Sequence, residues 1–178
     1  MMWGWAGPLA IGLIAGLVGW HAALVAIPRV VMKIATDRVA EAGGINRFAH
    51  APLVTDKARR IVRPSPDLAY SSCPLDLKEG PLLIEVAPVA APYWSLSIFD
   101  RRTDVAFVRN NRDTKGAPIR IAVAGEGQRV PDGIETVRVP GARGIALIRI
   151  LLEDRARFPV IDVERRRSRC TPLSAGRS

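Results

Sequence analysis

Histidine, cysteine and lysine are all scarce in this 178-residue chain, and each shortage excludes something. The two histidines are His21 and His50. The first falls inside a long apolar run and the second ahead of the strand-rich region. A Ser-His-Asp relay, which needs an imidazole beside its nucleophile, is therefore not expected. No grouping of His, Cys and carboxylates has metal-ligand spacing, so neither a metal nor any other cofactor is expected. Gly125-Glu126-Gly127 lacks the strand–glycine–helix setting and the lysine of a phosphate cradle, and reads as a turn. Of 26 basic residues only Lys33, Lys57, Lys78 and Lys115 are lysine. The arginines behind the net charge of +9 are scattered, many alternating with apolar residues. One dense cluster exists, Arg165, Arg166, Arg167 and Arg169, and no aromatic residue interleaves it for base stacking, so no nucleic-acid partner is expected. Internal repeats are missing, and so is the strand–helix alternation of a doubly wound fold.

Charge is missing altogether from residues 3–27, a 25-residue run. As a helix it would extend roughly 37 Å, against a hydrocarbon core of about 30 Å. Trp3, Trp5 and Trp20 lie towards its ends, where indole favours the headgroup layer, and His21 reads as an interfacial residue. Pro8 falls in the first turns, where a missing N–H costs little. The run exceeds the usual signal-peptide core and no basic segment precedes it. Residues 1–28 therefore read as an uncleaved transmembrane anchor, with the lipid bilayer as first partner. Gly12 and Gly16 form a GxxxG pair, continued by Gly19 and Ala23, a face that admits a homodimer through close helix packing.

Orientation signals disagree. Arg29, Lys33 and Arg38 follow the span, which by the positive-inside tendency keeps the rest in the cytoplasm. Cys73 and Cys170, 97 positions apart and in no CxxC motif, read most simply as a disulfide of an exported domain. Two unrelated buried thiols are the alternative.

Residues 29–44 continue as a juxtamembrane helix, kinked or restarted at Pro28, with Val30, Val31, Ile34, Ala35 and Val39 at helical spacing and Gly43-Gly44 as its stop. Residues 45–66 are irregular, with Pro52, Pro64 and Pro66 and the basic group Lys57, Arg59, Arg60 and Arg63. The period then switches to two. Strands are expected at 68–77, 82–87, 93–99, 105–109, 119–124, 136–139 and 144–152, followed by a short helix at 159–167 with Val160 and Val163 facing inward. Turn signals every 8–12 residues predict a mainly β fold, an antiparallel β-sandwich over 45–170. Residues 171–178 read as a flexible tail. Without the anchor roughly 150 residues remain, enough for one core.

Several stretches together resemble a known family. They are Asn46-Arg47-Phe48, Pro66-Asp-Leu-Ala-Tyr-Ser-Ser-Cys-Pro-Leu-Asp-Leu77, Gly80-Pro81, and Tyr93-Trp-Ser-Leu-Ser-Ile-Phe-Asp-Arg-Arg102 leading to Asn110-Asn-Arg112. The chain resembles the single-domain, membrane-anchored members of the domain-of-unknown-function 1254 family of bacteria, over about residues 45–152. Larger relatives carry an Asn-Asp-Thr-Leu-Tyr-Ser pattern where this chain has Ser65-Pro-Asp-Leu-Ala-Tyr-Ser, so the Asn and Thr are replaced. The resemblance implies a jelly-roll-like sandwich, an envelope location, and a companion membrane protein with a domain-of-unknown-function 1214 module. It implies no reaction.

Among the carboxylates, Asp67, Asp76, Asp100 and Asp104 are the candidates. Paired acids would suit sugar hydrolysis if about 5–10 Å apart, whereas Asp at a turn more commonly accepts backbone N–H bonds. Tyr70, Trp94, Asp100, Asn110 and Arg112 would converge at one end of the sandwich if their strands are neighbours, giving an aromatic floor with polar groups for a sugar or small ligand. Two readings follow. One is a non-catalytic binding or assembly module at the inner membrane, its domain in the periplasm. The other is an envelope enzyme acting on a carbohydrate or small molecule through Asp67 and Asp100.

Overall fold

A computed structural model describes residues 6–55 and 64–173. Trp3, Trp5, the basic group Lys57, Arg59, Arg60 and Arg63, and the tail from 174 onward lie outside the described residues. The chain opens with α1 (Ala6–Gly43), 38 residues long and thus about 57 Å. It continues through Pro28 as one helix, so the juxtamembrane part is not a restarted one. Proline removes the backbone donor to the Leu24 carbonyl, and the Arg29 side chain donates from Nη1 to the next carbonyl, that of Val25, at 2.5 Å. Residues 6–27 are exposed throughout. Further along, Met32 and Thr36, one turn apart, are buried where the helix passes the sandwich. The sequence pointed to a different stripe: Val30, Val31 and Ile34 are 43–53% exposed. The helix thus leans its Met32–Thr36 face on the sandwich and does not simply lift the domain away. At its end Gly43 lies so close to Ala49 that an added Cβ would meet the alanine Cβ at 2.7 Å.

Among the described residues nine strands form two sheets. The first has the order β1 (Ala49–His50), β2 (Leu68–Asp76), β8 (Arg143–Leu151), β4 (Trp94–Asp100), β5 (Val105–Asn110). The second has the order β7 (Thr136–Arg138), β6 (Ile119–Ala124), β3 (Leu82–Val86), β9 (Arg169–Pro172). All pairs are antiparallel except β6–β7, so the second sheet is mixed. The segment between these two strands crosses over instead of closing a hairpin, which is what a parallel pair requires. Alternation puts Ala69, Cys73, Leu75, Trp94, Leu96, Ile98, Ala146, Ile148 and Ile150 of the first sheet against Leu82, Ile84, Val86, Ile119, Ile121 and Val123 of the second, all nearly solvent-free. Gly144 is required in β8: a Cβ there would strike the Phe99 carbonyl oxygen of β4, beside the register shift at Ile98/Phe99.

The Cys73–Cys170 disulfide joins β2 to β9, one sheet to the other, with a Cα–Cα distance of 6.6 Å. In the chain-entropy account a loop of 97 residues makes such a bond worth about 4–5 kcal/mol. Strand β9 takes up residues expected to be tail, and β1 takes up part of the irregular segment. The short helix α2 (Phe158–Arg165) follows a 3-10 turn at Arg155–Arg157 that Asp154 caps. Its orientation corrects the sequence reading. Val160 and Val163 are 58% and 61% exposed, and the buried positions are Ile161 and Arg165.

Candidate functional site

Two polar assemblies stand out, and neither is a catalytic pair. The first is centred on Arg165, whose side chain is fully buried. Its guanidinium donates from Nη1 to the Tyr70 carbonyl at 2.6 Å and from Nη2 to the Ala51 carbonyl at 2.7 Å. Nε reaches Asp162 at 2.7 Å, Nη2 bonds the same carboxylate, and the group lies 5.1 Å from the centre of the Phe158 ring. One side chain therefore ties α2 to β2 and to the end of β1. Burial pushes the Asp162 carboxyl up, but hydrogen bonds from Arg166 and Arg165 outweigh it and hold the group below its usual range. His50 sits beside this clasp, its Nδ1 2.9 Å from the buried Ser71 hydroxyl. Burial, with the charges of Arg165 and Arg166, lowers its pKa from 6.5 to about 4, so the imidazole is neutral at physiological pH. In the sequence Arg165 is one member of a dense basic cluster; its spacing of four from the buried Ile161 was the available signal.

The second assembly is a lateral row on the outer face of the first sheet. Register sets Tyr70 of β2 opposite Arg149 of β8, Arg149 opposite Ser95 of β4, and Ser95 opposite Asn110 of β5. Arg149 donates to the Ser97 hydroxyl at 3.1 Å. The Ser95 hydroxyl oxygen and Arg149 Nε are buried without a hydrogen-bond partner among the described residues. Burying such groups unpaired costs about 1–3 kcal/mol each. The Tyr70 hydroxyl accepts from the Ser65 amide at 3.0 Å.

The remaining sequence candidates divide between the two ends of the sandwich. Trp94 is neighbour to the row but points into the core, 1% exposed. Asn110 accepts from the Arg112 and Asp113 amides at 2.8 and 3.2 Å and so shapes the β5–β6 loop, on which Arg112 is exposed. Asp67 is exposed just before β2, its carbonyl accepting from Leu152. Asp100 lies at the far end: it pairs with Gly144 and accepts from the Arg102 and Asp104 amides at 2.7 and 3.0 Å. Eight positions of β8 separate the levels of Asp67 and Asp100, about 25 Å at strand rise. That exceeds by far the separation at which two carboxylates share one glycosidic bond. Asp76 accepts from the Lys78 amide at 3.1 Å, and Asp104 lies 3.2 Å from Arg102. Among the described residues no group of three or more His, Cys, Asp or Glu side chains is placed to hold a metal ion.

Residues 45–172 match the model of the family described as "Protein of unknown function (DUF1254)", and the chain belongs to that family. Among solved structures it is similar to the VPA0106 protein from Vibrio parahaemolyticus, with 17% identity and a TM-score of 0.63 over 86% of this chain and 38% of that one. A second similar structure is an uncharacterized protein from Burkholderia cenocepacia, with 17% identity and a TM-score of 0.46 over 71% of this chain and 36% of that one. This chain thus spans well under half the length of either. No curated protein matches it.

Proposed function

We propose that this chain is a single-pass protein of the bacterial inner membrane that presents its sandwich on the periplasmic, oxidising side and serves there as a non-catalytic binding and assembly module. One observation carries the reading: residues 6–27 of α1 are apolar and wholly exposed, standing clear of the sandwich. A helix of a soluble core would bury that surface; lipid is the solvent that accepts it without penalty. A cleaved signal peptide is the rival use of such a helix. Against it stands the continuity of α1, which passes through residues 22–27 and on to the buried Met32 and Thr36 without an extended segment for a peptidase to grip.

The Cys73–Cys170 bond supports the oxidising side, since cytosolic thiols stay reduced. It thereby outweighs the positive charges after the span. Successive strands β2, β3 and β4 alternate between the sheets, in keeping with jelly-roll-like winding. Gly12 and Gly16 leave open space where a Cβ would stand, which suits a second helix and hence a homodimer. The main partner is a companion membrane protein carrying a domain-of-unknown-function 1214 module, and the half-exposed side chains of the row, Tyr70, Arg149 and Asn110, mark the face offered to it.

Site-directed photo-cross-linking from position 108 in native membranes, beside this row, tests the reading. The expected result is a cross-link to that companion protein in the alkaline-carbonate-resistant membrane fraction, weakened by Arg149→Gln. An uncross-linked chain, or a product unaffected by Arg149→Gln, would remove the assembly claim.

A further inference from the structure

The cations at the membrane-proximal end of the sandwich come from four separate stretches of chain. A groove there runs between α1 and the sheet and is lined by Arg29 and Lys33 on the helix, by Lys78 in the β2–β3 turn, by Arg101 in the β4–β5 turn, and by Arg143 at the start of β8. Met32 and Ala142 give it an apolar floor. Two carboxylates lie near: Asp37, 2.6 Å from Lys33, and Asp76, 3.8 Å from Arg143. Lys78 and Arg101 have no carboxylate within ion-pair distance among the described residues, and the Arg29 side chain bonds only the Val25 carbonyl of its own helix. Of the five lining cations, two are thus ion-paired and three are not, among the described residues.

Position gives this excess a meaning. Arg29 lies two residues beyond Ile27, the last of the exposed apolar run, and Lys33 one helical turn, about 6 Å, further. Basic residues directly after a span are common and would need no further account. Lys78, Arg101 and Arg143 are different: they are distant in sequence and reach this height only because α1 runs along β2 with its membrane end beside the sandwich turns.

We propose that the groove binds the phosphate headgroup of an anionic phospholipid of the bilayer that holds α1, seating the sandwich on the membrane surface. The Met32–Ala142 floor accepts the glycerol and upper acyl carbons while the cations surround the phosphate. This inference rests on the anchor reading. It adds that the domain is held in one orientation by lipid identity, not only by its helix.

The test uses the full chain in neutral detergent micelles, with thermal unfolding followed as phosphatidylglycerol, phosphatidylcholine or inorganic phosphate is added. Phosphatidylglycerol is expected to raise the midpoint in a saturable, salt-sensitive way, with little effect from phosphatidylcholine or phosphate. Each cation is worth about fivefold at an anionic surface, so Lys78→Gln/Arg101→Gln/Arg143→Gln is expected to bind on the order of a hundredfold more weakly. A charge-matched control, Arg112→Gln/Lys115→Gln/Arg167→Gln, leaves the response intact, and circular dichroism verifies that both variants fold. Equal responses from the two triple variants, or equal shifts with phosphatidylcholine, would overturn the proposal. A shift from inorganic phosphate alone would replace the lipid with a free anion and overturn it too. Failure of the anchor reading looks different: the chain would then stay dispersed without detergent.

Discussion

Replacing Arg165 by methionine removes a charge that its place in a run of arginines would not suggest is special, yet it is fully buried while Arg166 and Arg167 beside it are open to solvent. The magnitude follows from what is left behind. The Tyr70 carbonyl keeps a donor, the Ala51 amide at 3.0 Å, and Asp162 keeps Arg166 at 2.7 Å. The Ala51 carbonyl loses the guanidinium that bonds it, and the tie between α2 and β2 is gone. Breaking a buried ion pair costs about 3–5 kcal/mol when the survivor is stranded. Here the surviving acid is partly solvated and still paired, so the low end applies, about 3 kcal/mol. For a chain of this size that lowers the unfolding midpoint by roughly 6–12 °C. Asp162→Ala leaves the fully buried guanidinium without its counter-ion and is expected to cost at least as much. Arg165→Lys keeps the charge but loses the fork, and should fall between wild type and Arg165→Met. Urea titration of the full chain in detergent, followed by circular dichroism, measures all of these. If Arg165→Met lies within about 0.5 kcal/mol of wild type, as Arg167→Met should, the clasp is no more than another surface cation and the reasoning fails.

Other perturbations have equally definite outcomes. Cys73→Ala/Cys170→Ala should destabilise the domain by about 4 kcal/mol, with reductant reproducing the loss in the wild type and not in the variant. Gly144→Ala should cost about 1–3 kcal/mol in the same titration, because the Phe99 carbonyl it would strike belongs to a central strand and cannot swing aside. Acid should act in two stages. His50 titrates near 4 when folded and near 6.5 when unfolded, so its contribution is complete above pH 6.5 and is lost as pH falls from there to about 4. Allowing for solvent screening at a half-buried group, the loss is on the order of 1–2 kcal/mol, and His50→Asn should flatten the profile in that window. Asp162, held below its usual range, adds a further loss only below about pH 4.

Much of this molecule is legible in its residues, for a physical reason. Arg143–Leu151 turns one face to the opposite sheet, so burial alternates along it, and Ile119–Ala124, buried at five of six positions, reads as a short apolar run. The long apolar helix is equally plain. What stays hidden depends on contacts between distant segments. Arg169–Pro172 carries little pattern because only Cys170 turns inward, yet β3 and the disulfide fix it as a strand. Arg165 looks like its neighbours until three segments close over it. Val160 and Val163 suggest an inner face, but the core contact is made by Ile161 one position along. Tyr70 and Asn110 do fall in one row, whereas Asp100 is carried to the other end by the β2–β8–β4 order, which no local signal encodes. Asn46 has a structural role: its amide pairs with the backbone of Asp76 at 2.8 and 3.0 Å, as an added strand residue would.

A disulfide-closed sandwich held outside the cytoplasm by an intact amino-terminal helix is the central claim. Labelling Cys73 and Cys170 in intact cells with a membrane-impermeant thiol reagent tests this directly, with and without reductant and under denaturing conditions, on the carbonate-resistant fraction. The predicted result is no labelling before reduction and labelling of both cysteines after reduction by a membrane-impermeant phosphine, on a chain that retains its amino terminus. Free thiols that react only after the cells are opened, or a chain shortened by removal of the helix, would contradict it.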